Sequence, residues 1–297
     1  MRRPRRGNRV NGRALLVLAL ALHSGSIWGW GYSAHRIVAE NGHALLPPEL
    51  SAWYEAGERA LSDASIEPDR ILKARHGKRE KRRHYINLDS LWRPPFDDLP
   101  SSESEARALH GDTAIDAAGV LPWTIIEVLG RLEKHFREGD AGGVVRMSGW
   151  LSHYIADACQ PLHVTSNHDG QLTGNGGIHA AFEAEMIHRR RRAYRTRARP
   201  DPDDVPVMID DVPRTVRDTL EESFTLVVDV LDADTRAALA AARDGTDYFV
   251  RLEEYAGAVA SDRLRLATRM SVNLWYTAWV RAGSPKPPAP PAPSGGN

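Results

Sequence analysis

The sequence predicts an all-α protein with a single multi-helix domain. Apolar residues recur at spacings of three and four, as in Ile125, Leu129, Leu132 and Phe136, which is typical of a helix with one buried face. No two segments show the alternating pattern of paired strands. With 42% apolar residues among 297, the chain can bury one large core.

Proline and glycine indicate where several helices begin and end. The predicted helices run from Ser33 to Leu46, from Pro122 to about Glu138, from about Ala141 to Ala158 and from Ile178 to about Ala198, followed by roughly three more between Arg214 and Arg281. Pro47 and Pro48 should stop the first helix, and Gly139 should close the second. The segment from Pro200 to Pro213 contains five aspartates and is expected to be a surface loop.

The two ends of the chain are expected to lie outside this domain. Residues 1–29 contain six arginines, no acid and the apolar run Ala14–Leu22, a layout typical of a secretory signal peptide. That run has nine residues, whereas a membrane-spanning helix needs about 20. Residues 285–297 are predicted to be a disordered, proline-rich tail. We therefore expect a domain over residues 30–284, in a secreted or periplasmic protein whose mature chain begins at Trp30.

Charge and cysteine content exclude several classes of protein. The whole chain has 39 Lys and Arg against 39 Asp and Glu, but all six basic residues of the first 29 would be removed with a signal peptide. The remaining chain is acidic, and the basic run Arg189–Arg192 is expected to be a solvated helix face, which does not favour nucleic acid as a partner. The single Cys159 can form neither an internal disulfide nor a thiolate-based zinc module.

Two histidine–carboxylate pairs indicate a metal site. His153 and Asp157 are four residues apart on a predicted helix, as are His179 and Glu183, so each pair shares a helix face. His163 follows the first pair closely. Imidazole and carboxylate ligands without thiolate suit zinc, or manganese or iron. The number of ligands exceeds what one tetrahedral ion needs, which implies more than one metal.

Further motifs upstream complete a pattern that resembles a known family. The set comprises Trp30-Gly31-x3-His35, Asp69-x14-His84-Tyr85, His153-Tyr154-x2-Asp157, Pro161-Leu162-His163 and His179-x3-Glu183. In order and spacing it is similar to the zinc-dependent phospholipase C / S1-P1 nuclease superfamily, in particular its bacterial phospholipase C-like branch. The resemblance extends from Trp30 to about Glu185.

This resemblance implies an all-helical, secreted phosphoesterase that holds three zinc ions. It assigns Asp69, His84, His153 and Asp157 to the first zinc, His163, His179 and Glu183 to the second, and His35, the bridging Asp157 and the α-amino nitrogen and carbonyl oxygen of Trp30 to the third. The lone pair of an amide nitrogen is delocalised, so Trp30 can chelate a metal only after the bond behind Gly29 is cleaved.

The implied reaction is hydrolysis of a phosphodiester by a metal-activated hydroxide. Asp69 is the candidate catalytic residue, as a general base or water-orienting group in addition to its role as a ligand. Tyr85 is a candidate wall of the substrate site, and a place in the core fits it equally well. Glu183 as the last ligand favours a phospholipase C-like enzyme, whereas the short step from Trp30 to His35 is more typical of the nuclease branch.

Other interpretations stay open. The phosphodiester belongs either to a phospholipid headgroup, with transient contact to a membrane surface, or to a nucleic acid, as in an S1/P1-type single-strand nuclease or a 3′-nucleotidase. A non-catalytic zinc-binding protein would use the same ligands but fill every coordination position. A helical bundle around haem would leave most of the histidines unexplained. We expect a monomer, since no protein partner is evident.

Overall fold

The computed structural model describes residues 30–201 and 203–288, and this part of the chain is all-helical, which confirms the predicted fold class. Its α-helices are α1 (Tyr32–His43), α2 (Pro48–Ser51), α3 (Gly57–Ala64), α4 (Lys73–His76), α5 (Lys78–Lys81), α6 (Leu88–Leu91), α7 (Glu103–His110), α8 (Asp112–Ala118), α9 (Leu121–Glu138), α10 (Ala141–Cys159), α11 (Ile178–Ala180), α12 (Met186–Arg189), α13 (Arg191–Arg197), α14 (Val212–Thr225), α15 (Val227–Asp244) and α16 (Tyr248–Arg281). The signal peptide predicted for residues 1–29 lies outside the described residues.

Five short helical turns of other geometry connect these helices. They are 3₁₀ turns at Ala52–Tyr54, Arg82–His84 and Pro161–His163, and π-helical turns at Pro68–Leu72 and Ala181–Glu185. Turns of the π type are rare in proteins and occur frequently at functional sites. Four of the five contain residues that the sequence marks as candidate metal ligands.

Helix α10 lies at the centre of the fold, where it packs against α1, α3, α9 and α16. Every residue from Leu151 to Cys159 is buried, whichever face of the helix it lies on, as expected for a helix surrounded by other helices. Its polar side chains are therefore inside the protein as well, among them His153 and Asp157, neither of which is exposed. A core helix that carries an acid and a histidine needs partners for both from its neighbours.

Most predicted helices are present, and their ends differ in instructive ways. Gly139 closes α9 in the left-handed conformation, at φ 70°, as predicted. The predicted continuous helix from Ile178 to about Ala198 is wrong, because a π turn interrupts it and the chain leaves the helix at Arg190, with φ −126°. Beyond the break, Arg191 and Arg195 pair with the buried Glu40 of α1, so the basic run is not simply a solvated face.

The start of the proline-rich tail contacts the domain. The carbonyl oxygen of Pro285 accepts hydrogen bonds from the indole nitrogens of Trp53, at 3.0 Å, and Trp279, at 2.9 Å. Residues 289–297 of the predicted tail lie outside the described residues. Within residues 30–201 and 203–288, no single helix is long and apolar enough to cross a membrane; α8 and α9 meet that test only as a pair, bent by 86°.

A close approach of α10 to the end of α3 depends on Gly149. A Cβ atom at this position would lie 2.5 Å from the Cβ of Ala64 and 2.9 Å from the backbone nitrogen of Ser65. The carbonyl of Ser65 in turn accepts a hydrogen bond from His153 Nδ1, at 2.8 Å. The glycine therefore brings the backbone of one helix within reach of a candidate ligand on another.

We predict that Gly149→Val lowers the free energy of unfolding by about 1–3 kcal/mol, because the added atoms overpack this contact. The matched control is Gly130→Ala, on the exposed side of α9 with no atom within 4 Å of the added Cβ. That change should raise stability by about 0.5–1 kcal/mol. Urea unfolding of both variants measures the difference. Equal stabilities would show that the close approach at Gly149 is not a constraint on the fold.

Candidate metal centre

Eight candidate ligands come from seven separate elements and converge around the C-terminal part of α10. They are His35 on α1, Asp69 in the π turn Pro68–Leu72, His84 at the end of a 3₁₀ turn, His153 and Asp157 on α10, His163 at the end of another 3₁₀ turn, His179 on α11 and Glu183 in the π turn Ala181–Glu185. Each side chain is at least nine-tenths buried.

Five of these residues form a first group, which we call the Asp157 cluster: His35, Asp69, His84, His153 and Asp157. The two oxygens of Asp157 lie 3.6 Å from His35 Nε2 and 2.9 Å from His84 Nδ1. His153 Nε2 is 3.0 Å from His84 Nδ1. Two overlapping triplets, His35–His153–Asp157 and Asp69–His84–His153, each place three ligand atoms within 4.8 Å of one another. Either triplet could hold a metal ion.

The other three residues, His163, His179 and Glu183, form the Glu183 cluster. One oxygen of Glu183 lies 2.9 Å from His179 Nε2 and 3.3 Å from His163 Nε2. The two clusters are adjacent, because His163 Nδ1 is 3.6 Å from Asp157 Oδ1. Gln160, between the two clusters in sequence, donates a hydrogen bond from its amide to Glu183 at 3.1 Å. This triplet could hold a further metal ion.

Backbone carbonyls fix the orientation of three of the histidines. Nδ1 of His153 donates to the carbonyl of Ser65, Nδ1 of His163 to that of His84 at 2.6 Å, and Nδ1 of His179 to that of His168 at 2.8 Å. With the proton held on Nδ1, the lone pair of Nε2 is available for a cation. A hydrogen bond of this kind behind the imidazole is typical of metal-binding histidines.

Several buried atoms of the two clusters have no hydrogen-bond partner. They include both ring nitrogens of His35 and one carboxylate oxygen each of Asp69, Asp157 and Glu183. A buried polar group left without a partner costs about 1–3 kcal/mol, and native proteins seldom accept several of them at one place. Metal ions bound to the carboxylate oxygens and to one ring nitrogen of His35 would satisfy most of these atoms, so the donor set fits a group of divalent cations.

The protonation equilibria support this interpretation. Burial lowers the pKa of His35, His84 and His153 well below the usual value, which leaves neutral imidazoles with free lone pairs. Burial also raises the pKa of Asp69 to about 6 and that of Asp157 well above its ordinary value. Carboxylates that resist ionisation in the apo protein gain from a nearby cation, because its positive charge offsets the cost of burial.

Trp30 and Gly31 together contact residues of both clusters. Its side chain is fully buried, and its indole nitrogen donates to the carbonyl of Ala156 at 2.6 Å. A hydrogen bond from the Trp30 backbone reaches the carboxylate of Asp157, where it opposes the larger effect of burial on the pKa of that group. Gly31 follows and donates its N–H to the carbonyl of Glu183, at 3.4 Å. The backbone nitrogen of Trp30 is thus beside the predicted bridging ligand.

Tyr85 is half-buried, and Gly119 packs directly against its ring and backbone. Its carbonyl accepts a hydrogen bond from the backbone of Leu121. These contacts anchor Tyr85 to the start of α9, and a role in substrate binding stays a prediction.

Sequence reasoning missed three neighbours of the clusters. Lys73 Nζ lies 2.5 Å from Asp69 Oδ1. Glu80 is buried, and its carboxylate faces His84. The carbonyl of His168 orients His179, and the two imidazole rings are 6.2 Å apart. Lys73 and Glu80 each stand four residues from a ligand, the same spacing that identified the ligand pairs.

No protein-family model matches the chain, and no curated protein matches it either. The fold and the site together define an all-helical protein with two adjacent, buried histidine–carboxylate clusters that could hold metal ions.

Asp157 and Glu183 should differ in what their loss does to metal content. Asp157 contacts residues of both clusters, so Asp157→Asn should lower the zinc affinity of the chain by more than about 100-fold. This loss exceeds the one expected for a residue that only contacts a metal ligand, which is about 10- to 100-fold. Glu183→Gln should lower only the occupancy of its own cluster. Elemental analysis after zinc loading and dialysis measures both, with the exposed Asp63→Asn as control. Equal losses in the two variants would contradict a shared role for Asp157.

Proposed function

We propose that the chain is a zinc-dependent phosphoesterase that hydrolyses a phosphodiester, with a preference for phospholipids as in phospholipase C. The observation that supports this most strongly is the adjacency of the two clusters, at 3.6 Å between Asp157 Oδ1 and His163 Nδ1. A structural zinc site is usually closed by four ligands around one ion. Eight buried ligands in three triplets, two of which share His153, instead suit several ions that act on one substrate.

Bound divalent cations would supply Lewis acidity for a water molecule and for the phosphoryl oxygens. The chain itself contributes Asp69, whose Oδ2 has no hydrogen-bond partner and whose pKa is raised by burial to about 6. That atom is suited to orient a water molecule and to accept its proton. Lys73 donates to the other oxygen of Asp69 and so fixes the carboxylate, while its charge favours an anionic substrate.

A second candidate function, hydrolysis of single-stranded nucleic acid, is favoured by the segment from Arg70 to Arg83, which we call the basic segment. It contains eight Lys and Arg and one acid, and it joins Asp69 to His84. Arg70, Arg75, Lys78 and Arg79 are exposed and form no ion pair within the described residues. Exposed cations beside a phosphoesterase site would attract further phosphates of a polyanion.

We expect hydrolysis of bis-p-nitrophenyl phosphate that a chelator abolishes and zinc restores. Metal binding without turnover would instead establish a non-catalytic zinc protein.

In parallel assays, faster turnover of phosphatidylcholine than of single-stranded DNA supports the phospholipase proposal. If the chain is a nuclease, a triple variant should lose more activity on DNA than on the small ester, by about tenfold, because each lost phosphate contact weakens DNA binding. The variant combines Arg75→Gln, Lys78→Gln and Arg79→Gln.

We further propose that residues 1–29 direct export and are removed, so that the free amine of Trp30 joins the metal site. The position of its backbone nitrogen beside Asp157 supports this. A chain with Met-Gly placed before Trp30 keeps an amide there, and its turnover should fall by at least about tenfold. Thermal stability should change less, because Asp69, His84 and His153 are untouched. N-terminal sequencing and zinc counting on secreted protein provide the comparison. Equal zinc content and turnover in both chains would exclude the amine as a ligand.

A further inference from the structure

A buried carboxylate lies behind His84, on the side away from the Asp157 cluster. Glu80 is 4% exposed, and its Oε1 is 3.4 Å from His84 Nε2. Nδ1 of the same imidazole faces the cluster, at 2.9 Å from Asp157 Oδ2. Glu80 therefore contacts the nitrogen opposite the one that the cluster uses, and it is not itself positioned as a ligand.

His84 differs in this respect from the other oriented histidines. His153, His163 and His179 donate from Nδ1 to backbone carbonyls and present Nε2 to their clusters. His84 presents Nδ1 to its cluster, so a lone pair on Nδ1 requires the proton to be on Nε2. Nε2 is buried and has no hydrogen-bond partner in the structure. The carboxylate of Glu80 is the acceptor next to it.

Two residues that adjoin ligands in sequence hold Glu80 in place. The hydroxyl of Tyr154, the residue after His153, donates to Glu80 Oε1. Arg83, the residue before His84, has its Nε 3.7 Å from Glu80 Oε2 and its guanidinium 5.5 Å from the centre of the Tyr154 ring. A carboxylate oxygen has two lone pairs, so Oε1 can accept from both Tyr154 and His84.

We propose that Glu80 is a positioning residue that accepts the Nε2 proton of His84 and thereby fixes Nδ1 as the metal-binding atom. Tyr154 and Arg83 keep the carboxylate in this orientation. The negative charge behind the imidazole also strengthens it as a donor toward a cation. The proposal rests on the proposed metal site for its effect on zinc affinity, whereas the position of the proton can be tested without metal.

The first test is the tautomer of His84 in the metal-free protein, read from long-range ¹H–¹⁵N correlation spectra. We expect the proton on Nε2 in the wild-type chain and a mixture of tautomers in Glu80→Gln, because the amide accepts less strongly and can turn its NH₂ toward the ring. The second test is zinc affinity in competition with a chelator. It should fall by about 10- to 100-fold in Glu80→Gln.

Tyr154→Phe and Glu127→Gln complete the design. Tyr154→Phe leaves the carboxylate in place but removes its hydrogen bond, so we expect a smaller loss of zinc affinity; it also serves as the test variant if Glu80→Gln does not fold. Glu127 binds Arg83 at 2.6 Å on the exposed side, and Glu127→Gln is the control expected to keep both tautomer and affinity.

A proton on Nδ1 of His84 in the wild-type chain would overturn the proposal. A folded Glu80→Gln variant that keeps the Nε2 tautomer and a zinc affinity within about twofold of wild type would also overturn it. A residue that orients a metal ligand is expected to change the affinity by about 10- to 100-fold. A wild-type chain that binds no zinc would instead refute the proposed function, and the tautomer result would then decide the role of Glu80 alone.

Discussion

The burial of the Asp157 carboxylate in the central helix is the constraint on which the arrangement of the site depends. A buried charge without partners costs several kcal/mol, so the elements packed around it have to supply compensating groups. His35 comes from α1, His84 and His163 come from 3₁₀ turns, and His153 comes from one turn earlier on α10. These groups are neutral imidazoles, and a cation among them would complete the compensation.

The features of the site that depend on helical periodicity could be predicted from the sequence. The pairs His153–Asp157 and His179–Glu183 are spaced for one helix face, and their side chains do meet, at 3.4 Å and 2.9 Å. Asp69 and His84 could be assigned only through the resemblance, because fourteen residues and several turns separate them. The break at Arg190 has no glycine or proline to mark it in the sequence, and the pairing of Arg191 with Glu40 just after it is known only from the fold.

The residues that sequence reasoning missed have side-chain types that are usually solvated. Glu80 and Lys73 stand in a run of basic residues that is indistinguishable from an exposed segment until the fold is known. The fold buries Glu80 against His84 and turns Lys73 toward Asp69, while Arg75 and Arg79 stay in solvent. The sequence shows that eight of the fourteen residues in the basic segment are Lys or Arg. Only the fold shows that Asp69 and His84, the ligands at its two ends, belong to the same site.

Anomalous diffraction from crystals of the zinc-loaded chain, recorded on both sides of the zinc absorption edge, tests the central claim most directly. The account predicts anomalous peaks within the Asp157 cluster, next to His35 and next to His84, and a further peak among His163, His179 and Glu183. Crystals that show no peak at these residues, or zinc only at surface carboxylates and histidines, would contradict it.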